Sequence, residues 1–170
     1  MPMLPCYDEL LWERKCAPIR IDAGAFLISP LDVTDYPAIA PLAYRAFQES
    51  VDEAPLAVWE EKIQAIIHGT YGRFLADASF KATTSDGALA GMVLVADYAE
   101  YRGPVIALIA VDPPCQRQGL ARHLVLQTIN ALAFQGFLAC RARVSPGNEP
   151  SAKLFHAVAF TPVTEQPFRR

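Results

Sequence analysis

Residues 110–124 read AVDPPCQRQGLARHL: an apolar strand ends, two prolines turn the chain, and a glycine precedes a helix. The first N–H groups of a helix lack intrahelical partners and lie at the positive end of its dipole, so such a turn can bind an anion. Gly119 has no Cβ to keep a phosphate away, and Arg117 and Arg122 can neutralise its charge. The stretch predicts a phosphate-binding turn; a plain tight turn with solvated arginines is the alternative.

Strands and helices alternate on both sides of this turn. The heptapeptide VIALIAV at 105–111 is nearly all apolar, which predicts a central strand covered on both faces. Asp86-Gly87 between two extended runs predicts a hairpin. We therefore expect an α/β (α+β) layer structure with a sheet core. In chain order the other predicted elements are a strand at 25–28, helices at 34–48 and 56–67, strands at 80–84 and 88–95, a helix at 120–135, a strand at 137–144 and a helix at 151–158.

Composition limits the class of protein. The 170 residues match one compact domain, and 52% hydrophobic against 19% charged residues is far from the signature of disorder. A net charge of −3 disfavours nucleic acid as a partner. The sequence has no run of about 18 apolar residues, which a membrane-spanning helix would need. Three scattered histidines predict no metal site. The four cysteines, none in a C-x-x-C motif, and the lack of a signal-like start predict a cytoplasmic protein.

The motif from Val111 to Ala121, V-D-P-x-x-Q-R-Q-G-L-A, resembles the acetyl-CoA pyrophosphate loop of the GNAT N-acetyltransferase superfamily, whose pattern is Q/R-x-x-G-x-G/A. Within the superfamily, the wording of the loop is similar to that of bacterial ribosomal-protein N-terminal acetyltransferases. A second block downstream is similar to V-x-x-x-N-x-x-x-x-x-L-Y-x-x-x-G-F. The residues that match it are Val144, Asn148, Leu154, Phe155, Ala159 and Phe160. The resemblance covers roughly residues 25–162.

The resemblance implies a GNAT fold, a mixed central sheet with helices on both faces and central strands that splay to form an acetyl-CoA cleft. Backbone groups at 109–111 would pair with the pantetheine arm, and one N–H would polarise the thioester carbonyl. N–H groups at 117–122 would hold the pyrophosphate. For Asn148, a role as the N-cap of the last helix is an alternative compatible with cofactor contact. The implied cofactor-binding residues are Ile109, Ala110, Val111, Gln116, Arg117, Gln118, Gly119, Leu120, Ala121, Arg122, Asn148 and Phe155.

The groups that transfer protons in relatives are missing here. Many relatives have a tyrosine where this chain has Phe155, and the ribosomal relatives have a glutamate where it has Arg143. A phenyl ring has no proton to donate, and a guanidinium cannot act as a base. The nearest replacements are Tyr98 and Tyr101 as acids and Glu100 as base. An ordinary polar loop at 97–102 is the alternative.

Taken together, the sequence predicts an N-acetyltransferase that moves an acetyl group from acetyl-CoA to a primary amine by direct attack. The acceptor would be a small molecule or a peptide. Phe155 and Arg143 also suit a second hypothesis, a non-catalytic GNAT-fold sensor or interaction module that binds CoA thioesters. A third is that the Gly119 turn binds no nucleotide.

The two ends of the chain carry a separate prediction. Residues 1–24 are interpreted as an N-terminal extension, with one helical turn at Leu10-Leu11-Trp12 that Pro18 ends, and residues 25–170 as the GNAT domain. After Phe160 there is room for one strand, whereas relatives usually continue through another. Bare sheet edges favour aggregation. We therefore expect the extension or a partner subunit, as in a homodimer, to cover the exposed edge.

Overall fold

The computed structural model describes residues 10–163. Eight strands and four helices follow one another within that range. In chain order they are β1 (Leu10–Lys15), β2 (Leu27–Pro30), α1 (Tyr36–Ala46), α2 (Leu56–Ile67), β3 (Gly72–Phe74), β4 (Phe80–Thr83), β5 (Leu89–Tyr98), β6 (Gly103–Val111), α3 (Leu120–Phe134), β7 (Ala139–Val144), α4 (Glu149–Ala157) and β8 (Thr161–Pro162).

All the strands belong to one mixed sheet with the order β2-β4-β5-β6-β7-β1-β8, and β3 pairs with β5 beside this path. The neighbouring pairs are antiparallel except β6 and β7, which are parallel. Helix α3 is the crossover between these two parallel strands, as a parallel connection requires. The predicted mixed sheet is confirmed.

The central strands are buried on both faces because helices cover each side. On β5, Met92 and Leu94 pack with α1 and α2, whereas Val93 and Val95 pack with α3 and α4. This alternation follows from the two-residue period of a strand. It explains why β5 and β6 read as continuous apolar runs rather than as alternating ones.

Local differences from the predicted elements lie at their ends. The helix predicted at 34–48 begins at Tyr36, after a short 3-10 turn that Asp32 caps through the N–H of Thr34. The first predicted strand lies at Leu27–Pro30 instead of 25–28. Strand β3 was not predicted, because three residues are too few to show a periodic pattern.

The predicted helical turn at Leu10-Leu11-Trp12 is wrong: these residues form β1. All six residues of β1 pair antiparallel with β7, and Trp12 and Glu13 pair with β8 on the other side. Leu11 and Trp12 are buried in this position. Three consecutive apolar residues are too short a run to distinguish a helix from a strand. Here the edge of β7 supplies the backbone partners that make the segment a strand. The expected covering of that edge by the N-terminal segment is confirmed for β1.

A side-chain contact also ties the segment after β1 to the domain. The amide of Asn130 on α3 accepts a hydrogen bond from the N–H of Ile19 at 2.5 Å and donates one to its carbonyl at 2.7 Å. Among residues 10–163, no helix combines the length and apolar character needed to span a bilayer. Cys6 and the rest of residues 1–9 lie outside the described range.

Candidate active site

Strands β6 and β7 separate shortly after they meet. They pair only at Val105–Arg141 and Ile106–Ala142. On the opposite edge of β6, the register with β5 shifts so that Ala107 has no partner between Ile106 and Leu108. Such a bulge bends a strand and increases its twist, so Ala107 is the point at which β6 turns away from β7. The expected splay of the central strands is confirmed.

Beyond the bulge, β6 presents free backbone groups to the cleft. The N–H of Asp112 donates to the Ala90 carbonyl on β5 at 2.8 Å, and Ala110 is the partner of Met92. Because successive residues of a strand direct their polar groups to opposite edges, Ile109 and Val111 direct theirs towards the cleft. The side chain of Gln116 donates to the Val111 carbonyl at 2.9 Å. The N–H groups of Ile109 and Val111 thus face the open edge of β6, whereas the backbone groups of Ala110 face β5 within the sheet.

The turn after β6 needs two residues with positive φ. Arg117 has φ of 61° and Gly119 has φ of 77°, which aims the chain into α3. Arg117, Gln118, Gly119 and Arg122 are exposed there, so the turn forms a cationic rim around the start of α3. The side chain of Leu120 is 2% exposed and packs in the core, so only its backbone can serve a ligand.

Two adjoining cavities occupy the cleft. The phosphate-side cavity, about 330 Å³, lies beside the turn, and the inner cavity, about 240 Å³, lies between β6, β7 and α2. They share Phe47, Ile109, Asn148 and Ser151. Of the implied cofactor residues, the phosphate-side cavity is lined by Ile109, Ala110, Val111, Gln116, Ala121 and Asn148, and the inner one by Ile109, Asn148 and Phe155.

Asp52 enters the inner cavity from the connection between α1 and α2. Its Oδ1 accepts a hydrogen bond from Ser145 Oγ at 2.6 Å, and its Oδ2 accepts one from Asn148 Nδ2 at 2.7 Å. The Asn148 Oδ1 meanwhile accepts from the Ser151 N–H, so this residue is the N-cap of α4. Nothing in the sequence pattern singles out Asp52, because it is 93 residues away from Ser145. An acidic residue in a helix connection is usually solvated.

Aromatic rings and cations complete the inner cavity. Phe47 and Trp59 stack with their ring centroids 4.7 Å apart, and Lys62 Nζ lies 5.3 Å from the Trp59 ring. Arg143 also lines this cavity. Phe155 is 3% exposed and contacts Phe160 edge to face. Among the residues that line this cavity in the described chain, Asp52 is the only carboxylate.

The three residues nominated for proton transfer lie together, but neither cavity has them in its lining. The Tyr98 ring stacks between those of Tyr71 and Tyr101, at 5.6 and 5.9 Å. Glu100 is exposed in the short 3-10 turn before β6. The Tyr101 ring lies 6.0 Å from the Arg143 guanidinium. These tyrosines therefore contact the cleft through Arg143.

Potential metal ligands and cysteine thiols are two further kinds of reactive group. Within residues 10–163, no three His, Cys, Asp or Glu side chains are grouped as metal ligands. Burial raises the pKa of Cys16 to about 11 and also raises the pKa of the fully buried Cys140. The pKa of Cys115 is raised by partial burial and by Asp112. These thiols are protonated near neutral pH and are poor nucleophiles.

Comparison with known families agrees with this geometry. A model described as the Acetyltransferase (GNAT) family matches residues 36–160, most of the chain. The chain belongs to this family. The matched GNAT residues include the splayed strands, the Gly119 turn, Asp52 and Asn148. No curated protein sequence matches the chain.

Solved structures show the same fold. A GCN5-related N-acetyltransferase from Sphaerobacter thermophilus has a TM-score of 0.71 and 14% identity over 91% of this GNAT chain, which spans about half, 48%, of that protein. The ribosomal-protein-S18-alanine N-acetyltransferase from Escherichia coli has a TM-score of 0.62 and 24% identity, and the match covers 82% of this chain and 79% of that protein. Diaminobutyrate acetyltransferase from Paenibacillus lautus, in complex with its substrate and coenzyme A, has a TM-score of 0.58 and 18% identity. The match covers 81% of this chain and 76% of that protein. At these identities the similarity establishes the fold alone.

Proposed function

We propose that this GNAT protein transfers an acetyl group from acetyl-CoA to a primary amine by direct attack. The observation that carries the proposal is the continuous cleft from the Gly119 turn to Asp52, through two cavities that share four residues. One end suits a pyrophosphate and the other an amine. The junction lies along the open edge of β6, where a thioester would have to react.

The residues present fit acetyl-CoA. The exposed N–H groups of the turn and the cations Arg117 and Arg122 suit its phosphates. The N–H and C=O groups of Ile109 are free to pair with an amide-containing arm laid along β6. Gln116 holds the Val111 carbonyl and so maintains the start of the turn.

The reaction needs a free amine, because an ammonium has no lone pair. As the amine nitrogen bonds to the carbonyl carbon, negative charge grows on the carbonyl oxygen, and an N–H of the open β6 edge is placed to stabilise it. The carbon–sulfur bond then breaks. The nitrogen loses a proton and the departing sulfur gains one, so the products are an acetamide and free CoA. Before this attack, Asp52 binds the incoming ammonium, and water carries the ammonium's extra proton to solvent, which leaves the free amine.

A second candidate function is binding of CoA thioesters without turnover. The observation that favours it is Phe155, which lines the inner cavity but has no hydroxyl to protonate a leaving sulfur. Such a protein would act as a sensor or an interaction module. Affinity for CoA is common to both candidates, whereas release of free thiol belongs to the first alone.

The test combines calorimetry with a thiol-release assay. CoA and acetyl-CoA are titrated into the full chain, and thiol release from acetyl-CoA is then followed over a panel of primary amines and peptides. We expect CoA binding together with turnover of some amines, at a rate that rises with pH as the amine loses its proton. Tight CoA binding without turnover of any amine would establish the second candidate, and no CoA affinity would exclude both.

A further inference from the structure

The inner cavity contains a hydroxyl group, that of Ser145, bonded directly to a carboxylate. Ser145 follows the last residue of β7, and its Oγ donates to Asp52 Oδ1 at 2.6 Å. Ser151 also lines this cavity, but its contact there is made by the backbone, from its N–H to Asn148 Oδ1. Among the lining residues of the described chain, Ser145 is thus the one whose hydroxyl is hydrogen-bonded to a carboxylate.

Acetyl transfer leaves one proton to be moved inside the cleft. When the amine attacks the thioester, its nitrogen becomes positively charged and must lose a proton, while the departing sulfur must gain one. The cations of the lining, Lys62 from α2 and Arg143 from β7, cannot take that proton, because a charged ammonium or guanidinium has no acceptor. Phe155 has no hydroxyl to give one. Asp52 can accept a proton and Ser145 can donate one.

We infer that Asp52 and Ser145 form a proton relay from the amine nitrogen to the sulfur. As the carbon–sulfur bond breaks, the proton of the nitrogen passes to Asp52, the hydroxyl proton of Ser145 passes to the sulfur, and Asp52 returns a proton to Ser145 Oγ. The nitrogen has then lost one proton and the sulfur has gained one, and both side chains are as they were before. This inference rests on the acetyl transfer proposed above and assigns its last proton step.

The hydrogen bond between the two side chains suits this role. Its oxygen–oxygen distance of 2.6 Å lies in the range of about 2.5–2.7 Å typical of a charge-assisted O–H···O⁻ bond, so a proton has only a short way to move. A serine hydroxyl rotates and carries both a donor and acceptor positions, so it can give one proton and take another. Asn148 donates to the other oxygen of Asp52 at 2.7 Å and so orients the carboxylate without neutralising its charge.

The relay lies where the thioester would react. Ser145 reaches the inner cavity from the end of β7, and Ile109 reaches it from the open edge of β6. The cavity opens between these strands because they pair at only two positions. A thioester held by an N–H of the β6 edge therefore shares the cavity with the Ser145 hydroxyl, while Asp52 enters from the connection between α1 and α2.

The experiment follows single turnovers of the full chain with acetyl-CoA and a saturating primary amine, so that the chemical step is measured apart from product release. Ser145→Ala should lower this rate by about a hundredfold, as for the loss of an acid–base group, and leave the affinity for CoA nearly unchanged. Ser145→Thr keeps a hydroxyl and should retain most of the rate. Ser29→Ala removes another half-buried serine hydroxyl, on β2 and outside the lining of both cavities, and is the matched control.

Two further readouts distinguish a relay from a purely structural role. Asp52→Asn combined with Ser145→Ala should be no slower than the slower single variant, because residues that act as one unit have non-additive effects. The wild-type rate should fall in D2O with a curved dependence on the deuterium fraction, since more than one proton moves in the same step. Ser145→Ala should lose this curvature.

The outcomes separate the relay from the proposed function. A rate that Ser145→Ala lowers by less than about threefold, or additive losses in the double variant, would overturn the relay while leaving acetyl transfer in place. A linear dependence on the deuterium fraction in the wild type would overturn it as well. If the wild type binds CoA but turns over no amine, both the relay and the transfer are wrong.

Discussion

The side chain of Asn148 joins the last helix to Asp52 in the inner cavity of the cleft. Its Oδ1 accepts from the Ser151 N–H at 3.1 Å, and its Nδ2 donates to Asp52 Oδ2 at 2.7 Å. One residue thus caps α4 and orients a carboxylate from the other side of the cleft. This geometry agrees with the expectation that Asn148 can be an N-cap and also lie in the cleft.

Replacing Asn148 should separate these two roles. Asn148→Ala should lower the free energy of unfolding by about 1 kcal/mol because the N-cap is lost, while Asn148→Ser, which keeps a capping oxygen, should lower it by less than about 0.5 kcal/mol. Both variants lose the amide that holds Asp52, so both should raise KM for the amine by about three- to tenfold. Urea unfolding and thiol-release kinetics measure the two effects. An unchanged KM in Asn148→Ser would contradict the positioning of Asp52.

Gly119 and Gly87 offer a matched pair for the phosphate turn. Both have positive φ, 77° and 85°, and an added Cβ would meet no atom within 4 Å in either place. Changing either to Ala should cost about 1–2 kcal/mol of stability from the left-handed backbone. Only Gly119→Ala should weaken CoA binding, by about tenfold, since its Cβ would stand where a phosphate approaches the helix N–H groups. Calorimetry with CoA distinguishes them, and equal affinities in the two variants would refute the phosphate role.

The contribution of β1 can be measured at Trp12. This side chain is 8% exposed and packs in the core beneath the sheet, so Trp12→Ala should lower the free energy of unfolding by about 3–5 kcal/mol. Leu27 on β2, at the opposite edge, is 68% exposed, and Leu27→Ala should change stability by less than about 0.5 kcal/mol. The measurement is chemical denaturation of the three proteins, with the same dependence of the unfolding free energy on denaturant concentration in each. A loss below about 1 kcal/mol for Trp12→Ala would show that β1 is not part of the folded core.

Cysteine chemistry should be dispensable. Burial raises the pKa of Cys16 to about 11, and burial with Asp112 raises that of Cys115, so the thiolate fraction of each is small at neutral pH and grows as the pH rises towards its pKa. Alkylation of both should therefore be slow near pH 8 and accelerate above it. Cys16→Ser and Cys115→Ser should keep kcat within about twofold if the amine attacks the thioester directly.

The opposite result would indicate a covalent acyl-enzyme. A loss of more than about tenfold in kcat in Cys115→Ser, together with ping-pong kinetics, would replace direct attack by transfer through that thiol. Initial-rate patterns with both substrates varied make the distinction without any variant.

Features encoded locally could be predicted from the sequence. Interactions among neighbouring residues determine the strand at 105–111, the hairpin at Asp86-Gly87 and the turn at Gly119. The resemblance to the family motif placed Gln116 and Asn148 along one cleft, and both line the phosphate-side cavity.

Features that depend on distant partners could not be predicted. Leu10–Lys15 is a strand because β7 offers it an unpaired edge, and in sequence the two are more than a hundred residues apart. The bulge at Ala107 exists only in the register between β5 and β6. Asp52 belongs to the cleft only because the connection between α1 and α2 packs against the end of β7.

For this protein, therefore, the sequence by itself determined the main helices and central strands between β2 and α4, the tight turn at Gly119, and the presence of Phe155 and Arg143 where relatives have proton-transfer groups. The tertiary structure decided which side chains surround the inner cavity. It brought Asp52, Lys62 and Arg143 around one cavity and left Tyr98, Glu100 and Tyr101 outside its lining. The physical reason is that local patterns specify backbone conformation, whereas the charge lining a cavity depends on which loops the packed sheet brings together.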